Sequence, residues 1–372
     1  MVWLAMANDK NQEKNSAMNV LTAYIVKDVL KGSLIAMLVL LTLFNLFTLS
    51  DELDDIGIGD YGLTEVFYFL ALTSPTVFYE LMPASALLGS LFTLGAMGNN
   101  HELIAMRAAG LSIFGLIKAA MAAGVILATM AVLVGEFIAP LTEQKAQLIR
   151  ATAQHKPVVM RTKYGLWLRE GRQFINVRKI EDNGNLADIS IYEVDEQQHL
   201  HHSLHADQAV FLGRQQWRLQ QIQGSDISTE QMQAGTATEQ IWNSSIAPDL
   251  LKIVVVNPDN LSLYDLAMYV SFLKENHQKS HLFEAAFWGR IVNPLVIFVM
   301  LLVSTPFVIG VKRGISAGAR ILAGVVIGMG FNIIDITAGH LGLIYGLSPP
   351  LMAFIPSVAV SAIALYALKR VQ

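Results

Sequence analysis

Residues Gly32–Ser50 read GSLIAMLVLLTLFNLFTLS, an uncharged run closed by Lys31 on one side and Asp51 on the other. A helix satisfies its backbone polar groups internally, so about 20 such residues suffice to cross a bilayer core. Working outward, the same criterion selects Leu81–Asn100, Ala119–Gly135, Ile291–Val311, Ile321–Ile334 and Leu341–Leu368. These are six spans, three on each side of a polar stretch. Val66–Ser74 is apolar as well, but Pro75, Glu80 and Pro83 follow it. Proline removes a donor and ends or kinks a helix, so this piece is expected to be interfacial or re-entrant rather than a seventh crossing.

Composition points the same way. The chain has 372 residues, 53% hydrophobic and 15% charged, where a globular domain carries about 25% charged. Of the 56 Lys, Arg, Asp and Glu residues, 30 lie between Leu141 and Ser280. That excludes an average soluble enzyme and describes a polar domain set into a membrane protein. The net charge of −4 gives no support to a nucleic-acid partner, and the absence of cysteine excludes disulfides, thiolate metal sites and cysteine nucleophiles. The first apolar run starts too late and is too long for a signal peptide. Residues 1–17 form a polar extension, 18–140 hold spans one to three, 141–260 the polar domain, 261–280 a connecting helix and 281–372 spans four to six.

Loop charges orient the chain. Lys27 and Lys31 precede span one, Arg107 and Lys118 lie between spans two and three, Lys312, Arg313 and Arg320 between four and five, and Lys369 and Arg370 follow six. The loop after span one holds Asp51, Glu52, Asp54, Asp55, Asp60 and Glu65 without a basic residue. Basic residues therefore recur at every second loop, which puts both termini in the cytoplasm and the polar domain on the far side.

Inside that domain Phe174–Val177, Ile189–Tyr192, Ala209–Leu212 and Trp217–Leu219 have the character of strands, with Asp182–Asn185 as a hairpin-like turn. Strands at this spacing without helices between them suggest an antiparallel sandwich or jelly roll. After Pro258 the period becomes helical. Ser262 and Asp265 resemble a capping box, and Leu266, Tyr269, Val270 and Leu273 make one apolar stripe.

Positive support for catalysis is missing. No phosphate-binding G-x-x-x-x-G-K-[ST] loop and no G-x-S-x-G elbow occurs, and His101-Glu102 lacks the second histidine of a zincin helix because position 105 is Ala. His199, His201 and His205 would share one face of a strand and could bind a metal, but a solvated polar edge strand is the preferred reading. No metal site is assigned. Charges within apolar helices mark functional positions by default. Asp335, with Asn332 one turn before it, is either such a site or a hydrogen-bonded group near the outer interface. Interfacial solvation accounts for Glu80 and Glu136, and snorkelling for Arg290. Gly324 and Gly328 form a G-x-x-x-G that permits close helix packing. Asn99–Gly110 is a short cytoplasmic helix with a glycine stop, Leu103 and Met106 on one face and Glu102 and Arg107 flanking. It is either a connector lying on the membrane or the surface through which a separate ATPase does work.

That segment, Glu102-Leu103-Ile104-Ala105-Met106-Arg107-Ala108-Ala109-Gly110, resembles the coupling helix of the lipopolysaccharide-export permeases, the LptF/LptG family, with its Glu-Leu-x-x-Met-Arg-Ala-x-Gly pattern. Tyr79–Pro83 with Leu87-Leu88-Gly89, Gly135–Pro140, Gly165–Arg169, Phe174–Val177, Pro258–Ser262 and Tyr345–Pro350 match further landmarks in order, on the LptG side of the family, from about Met18 to the C-terminus. The resemblance implies six transmembrane helices with a β-jellyroll-like periplasmic domain inserted over 141–280, in the inner membrane. It implies one permease of an ABC exporter for lipopolysaccharide or lipooligosaccharide, paired with LptF, driven by two copies of the ATPase LptB and joined by LptC. ATP and Mg would enter through the ATPase, and this chain would bind no cofactor. Glu102, Leu103, Met106, Arg107 and Gly110 would form the coupling surface. Spans one and five would line lateral gates, making Phe44, Phe47, Phe331 and Ile334 candidates for acyl-chain contact. Enterobacterial members carry lysines at the outer end of span one, suited to lipid A phosphates, where this chain has Asp51, Glu52, Asp54 and Asp55. No phosphate-binding residues are therefore transferred. A membrane adaptor that transmits conformational change without moving lipid is the alternative, with packed spans in place of an apolar chamber.

Overall fold

The computed structural model describes residues 2–154, 166–181, 184–227, 231–246, 248, 258–309 and 317–371. Gly165, Asp182, Asn183, Val311, Lys312 and Arg313, on which parts of the sequence reading rest, lie outside them. Helix α1 (Val2–Leu53) is followed by α2 (Leu63–Asn99), the short α3 (Glu102–Ala108) and α4 (Ile113–Leu133). A π-helical turn over Val134–Ile138 carries α4 into α5 (Ala139–Ala153). Six strands come next, then α6 (Leu263–Glu275), α7 (His281–Ile309), α8 (Ala317–Tyr345) and α9 (Pro349–Val371). Among the described residues six helices are long and apolar enough to cross a membrane: Val20–Leu53, Leu63–Asn99, Ile113–Ala153, His281–Phe307, Gly318–Tyr345 and Pro349–Arg370. The chain is thus an α-helical membrane protein with an inserted β region, as its sequence predicts.

Two compact units divide it, one of residues 1–54, 70–143 and 284–372, the other of residues 55–69 and 144–283. In the helical unit span two is central. Met82, Ala86 and Leu94 join Ile25, Val29 and Met37 of span one, Leu127 and Ala131 of span three and Ile297 and Leu301 of span four in one core cluster. Leu87 and Leu91 form a second with Val292, Val296 and Met300 of span four and Ala364 of span six. Spans one and two cross at glycines: a Cβ on Gly89 would stand 2.3 Å from the backbone nitrogen of Ser33, and one on Gly32 would stand 2.8 Å from the carbonyl oxygen of Gly89. Only small residues let two helix backbones approach so closely. Gly324 of the G-x-x-x-G packs within the chain, its Cβ position 2.8 Å from side-chain carbons of Leu88 and Leu91.

Val66–Ser74 is not a separate interfacial piece. It forms the first turns of α2, which continues through Pro75 and Pro83. A helical proline frees the carbonyl four residues earlier, and a neighbouring helix can satisfy it. Pro83 frees that of Tyr79, which accepts from Asn293 Nδ2 at 3.4 Å. Pro294 in α7 frees that of Arg290, which accepts from the Tyr79 hydroxyl at 3.1 Å. The acceptors freed by Pro83 and Pro294 are therefore each served by the other helix.

The strands β1 (Leu166–Glu170), β2 (Gln173–Ile180), β3 (Leu186–Val194), β4 (Leu200–Gly213), β5 (Gln216–Ile227) and β6 (Met232–Asn243) form one antiparallel sheet in sequential order. All four strand segments read from the sequence fall within β2–β5. Among the described residues each strand is hydrogen-bonded to the next in sequence, which gives the inserted β domain that the sequence predicts. Registers such as Ile175↔Ile191, Ile191↔Leu204 and Ala209↔Leu219 align the apolar positions, so that Ile175, Ile191, Leu204, Ala209, Leu219 and Trp217 are buried. Trp217 Nε1 donates to the carbonyl of Ile246 at 2.8 Å. In α6 the Ser262 hydroxyl accepts from the Asp265 backbone N–H at 3.1 Å, the expected cap, and Leu266, Tyr269 and Leu273 are buried with Val270 half-buried.

Candidate functional site

Helix α3, seven residues long and about two turns, hangs between spans two and three. His101 before it has φ 63 and Gly110 after it φ 101, conformations that break the helix on both sides. Ser112 then caps α4 by accepting from the Gly115 N–H at 3.0 Å. Met106 is buried and Leu103 packs against the same core cluster, so these two fasten α3 to the bundle. Arg107, Ala108 and Gly110 face outward, and so does Ile104, 53% exposed, which the sequence pattern does not single out. The five coupling candidates therefore divide: Leu103 and Met106 hold the turn in place, Arg107 and Gly110 are presented outward, and Glu102 is half-buried. Its two carboxylate oxygens accept from the Tyr24 hydroxyl at 3.0 Å and from Asn100 Nδ2 at 3.3 Å.

The four lipid-contact candidates divide too. Phe47 and Ile334 are 72% and 54% exposed, and Phe44 40%. Phe331 instead packs on the cluster that joins spans two, four and six. Asp335 is half-buried and Asn332 exposed, and neither makes a side-chain hydrogen bond among the described residues.

A polar node that the sequence misdescribes lies between spans two, three and four. Interfacial solvation of Glu136 and snorkelling of Arg290 are both overturned. The Arg290 side chain is 4% exposed, and its Nη1 donates to Glu136 Oε1 at 3.0 Å and to the Gly135 carbonyl at 2.8 Å. Its guanidinium carbon stands 5.3 Å from the centre of the Tyr79 ring. Gly135 sits in the π-turn, where a Cβ would stand 2.4 Å from that ring. The π-turn presents the carbonyl, the glycine admits the tyrosine, and the arginine neutralises the carboxylate. A buried ion pair of this kind is held by its surrounding hydrogen bonds as much as by Coulomb attraction.

In the other unit, the acidic stretch after span one has a basic partner after all. Arg150 of α5 meets Asp55 at 2.7 Å, Gln154 Nε2 donates to the same oxygen at 3.0 Å, and the Arg150 guanidinium lies 5.2 Å from the Phe69 ring. The histidine run does not lie on an edge, since β4 pairs with both β3 and β5. His202 contacts Asp226 at 2.6 Å and His205 contacts Ser190 at 3.1 Å, so these side chains are engaged across strands. Among the described residues no group of three or more metal-capable side chains converges.

The family model described as lipopolysaccharide export system permease LptF/LptG matches residues 23–370. The chain belongs to the LptF/LptG family. Within it, the lipopolysaccharide export system permease protein LptG of Haemophilus influenzae is 33% identical over 341 residues, covering 91% of this chain and 95% of that one. LptG of Escherichia coli K12 is 30% identical over 353 residues, 94% of this chain and 98% of that one. LptF of Escherichia coli K12 is 30% identical over 138 residues, 37% of this chain and 38% of that one. The two LptG relatives are matched nearly end to end, so helices, inserted sheet and the α3 turn all lie within the LptF/LptG pattern. As a member of this permease family with six apolar helices, the chain is a multi-pass membrane protein.

Proposed function

We propose that this chain is the LptG-type permease of an ABC exporter that extracts lipopolysaccharide or lipooligosaccharide from the outer leaflet of the inner membrane and hands it to a periplasmic bridge. Both termini are cytoplasmic, 141–280 is periplasmic, and LptF is the paired permease. Two LptB subunits are supplied with ATP and Mg; α3 docks on LptB through Arg107 and the outward face that includes Ile104, and LptC joins the assembly. The observation that carries this reading is α3 itself. It is a short helix anchored by Met106 on one side and open on the other, in a chain without a phosphate-binding loop of its own. Lipid binds against spans one and five, whose apolar faces a single chain leaves uncovered: 17% and 11% of the residues in their most apolar stretches are buried. That favours transport over the packed-span adaptor. Acyl chains arriving from the bilayer gain no hydrophobic energy at these faces, but their release into water would cost about 0.8 kcal/mol for each methylene exposed.

The test is co-purification of the whole complex from membranes. Arg107→Glu is expected to reduce LptB recovered with the permeases about tenfold or more, as charge reversal at a docking face does. Undiminished recovery defeats the docking assignment. Extraction of the wild-type complex is expected to yield lipopolysaccharide, and its absence defeats the transport reading.

A further inference from the structure

The α3 segment is joined by polar side chains to two particular spans. On one side the Tyr24 hydroxyl of span one donates to Glu102 Oε2 at 3.0 Å, across 78 residues of sequence. On the other, Arg320 at the start of span five reaches the end of span two, where its Nη2 donates to Asn99 Oδ1 at 2.6 Å. Asn100 closes the gap by donating to Glu102 at 3.3 Å. The run Asn99–Glu102 is therefore held from both flanks. Gly95 is part of the arrangement: a Cβ there would stand 2.6 Å from Arg320 Nη1 and 2.8 Å from its Cδ, so the guanidinium lies flat on span two only because that position has no side chain.

The two spans reached in this way are the two least buried of the six. Span one packs through Ile25, Val29 and Met37 and span five through Gly324, Ile327 and Phe331, but most of each remains uncovered, and the charge-assisted hydrogen bonds add directed links from these spans to α3. Spans two, three and four are joined to one another by core clusters and, in addition, by the buried Arg290 node. We propose that Tyr24 and Arg320 are positioning residues that deliver displacement of the Asn99–Gly110 segment to spans one and five, with Glu102 and Asn99 as the receiving ends. On this view Glu102 acts within the chain as a tether, and docking falls to the outward face of α3. The inference rests on the proposed role of α3 as the ATPase dock.

The test uses the complete complex with both permeases and the ATPase in proteoliposomes loaded with purified lipopolysaccharide. Three readouts are taken: ATPase recovered with the permeases, ATP hydrolysed, and lipopolysaccharide released per ATP. Tyr24→Phe and Arg320→Met are each expected to leave ATPase recovery and the thermal midpoint unchanged and to lower lipid released per ATP about fivefold, the scale on which single residues alter coupling between sites. Gly95→Ala, which displaces Arg320 without removing it, is expected to reproduce the Arg320→Met result. Arg320→Lys, which keeps a donor near Asn99, is expected to recover part of the loss. Unchanged lipid released per ATP in both Tyr24→Phe and Arg320→Met overturns the proposal. So does loss of ATPase recovery, which would make these residues part of the dock, or a fall in thermal midpoint that parallels the lost release, which would make them scaffold. Arg107→Glu run alongside separates the two levels: if it retains the ATPase, the dock reading fails whatever Tyr24 and Arg320 do.

Discussion

Spans two and five are both long apolar helices, yet 61% of the residues in the most apolar stretch of span two are buried and 11% of those in span five. Span two has neighbours on most sides, with Met82 and Leu94 in one core cluster and Leu87 and Leu91 in another. Span five shows Val326, Met329, Ile333 and Ile334 to the outside. The difference lies in neighbours, not composition. Lipid is as apolar as leucine, so nothing in the hydrophobic effect alone chooses which span is inside, and close packing and satisfied polar groups make the choice. The helical unit accordingly has a hub around spans two and four, while spans one and five pack on it but leave most of their apolar residues uncovered.

The contrast is easiest to break at the hub. Arg290→Met leaves the Glu136 carboxylate and the Gly135 carbonyl without their donor. It is expected to lower stability by about 3 kcal/mol, the cost of removing one member of a buried pair, seen as a large drop in thermal midpoint of the detergent-solubilised complex. A midpoint equal to wild type would mean that spans two, three and four are held by packing alone. Gly135→Ala should come next, at about 2 kcal/mol, because its Cβ must displace the Tyr79 ring. Met106→Ala removes the buried anchor of α3 and is expected to cost about 2 kcal/mol as well, whereas Ile104→Ala, on the outward side, should leave the midpoint in place and weaken ATPase recovery. If the two exchange phenotypes, the inward and outward faces of α3 have been assigned the wrong way round. The smallest stability effects belong to the uncovered faces of spans one and five. Phe47→Ala and Ile334→Ala should change stability by no more than about 0.5 kcal/mol while lowering the lipopolysaccharide that co-purifies. Phe331→Ala, which touches the second core cluster, should do the reverse.

Much of this was legible before any coordinates. Spans declare themselves by runs of uncharged residues, and β2 to β5 by Phe174-Ile175, Ile189, Ile191 and Trp217, whose alternation survives because one face of the sheet is buried. Strand β6 had no such signal. Of Met232–Asn243 only Trp242 is buried, and between Met232 and Ile241 the residues are Gln, Ala, Gly, Thr and Glu, which leaves no apolar period to detect. Span two starts at Leu63, ahead of the Leu81 that the apolar run suggests, for a different reason. Prolines 75 and 83 are helix breakers in isolation, and the donor that excuses Pro83, the Asn293 side chain, sits 214 residues away from the carbonyl it serves. The acidic stretch after span one looked unpartnered because Arg150 is 95 residues from Asp55.

The sequence by itself determined that six apolar helices flank an inserted polar region, where the strands with a buried face lie, and which family's landmarks the chain carries in order. Those properties depend on local composition and on spacing within an element, which a linear text preserves. Only the tertiary structure decided which charges are buried together, which face of α3 is anchored, and which spans are tied to it through Tyr24 and Arg320. Each of those depends on a donor and an acceptor brought within about 3 Å from distant parts of the chain, a distance at which hydrogen bonding acts and which residue numbers do not encode.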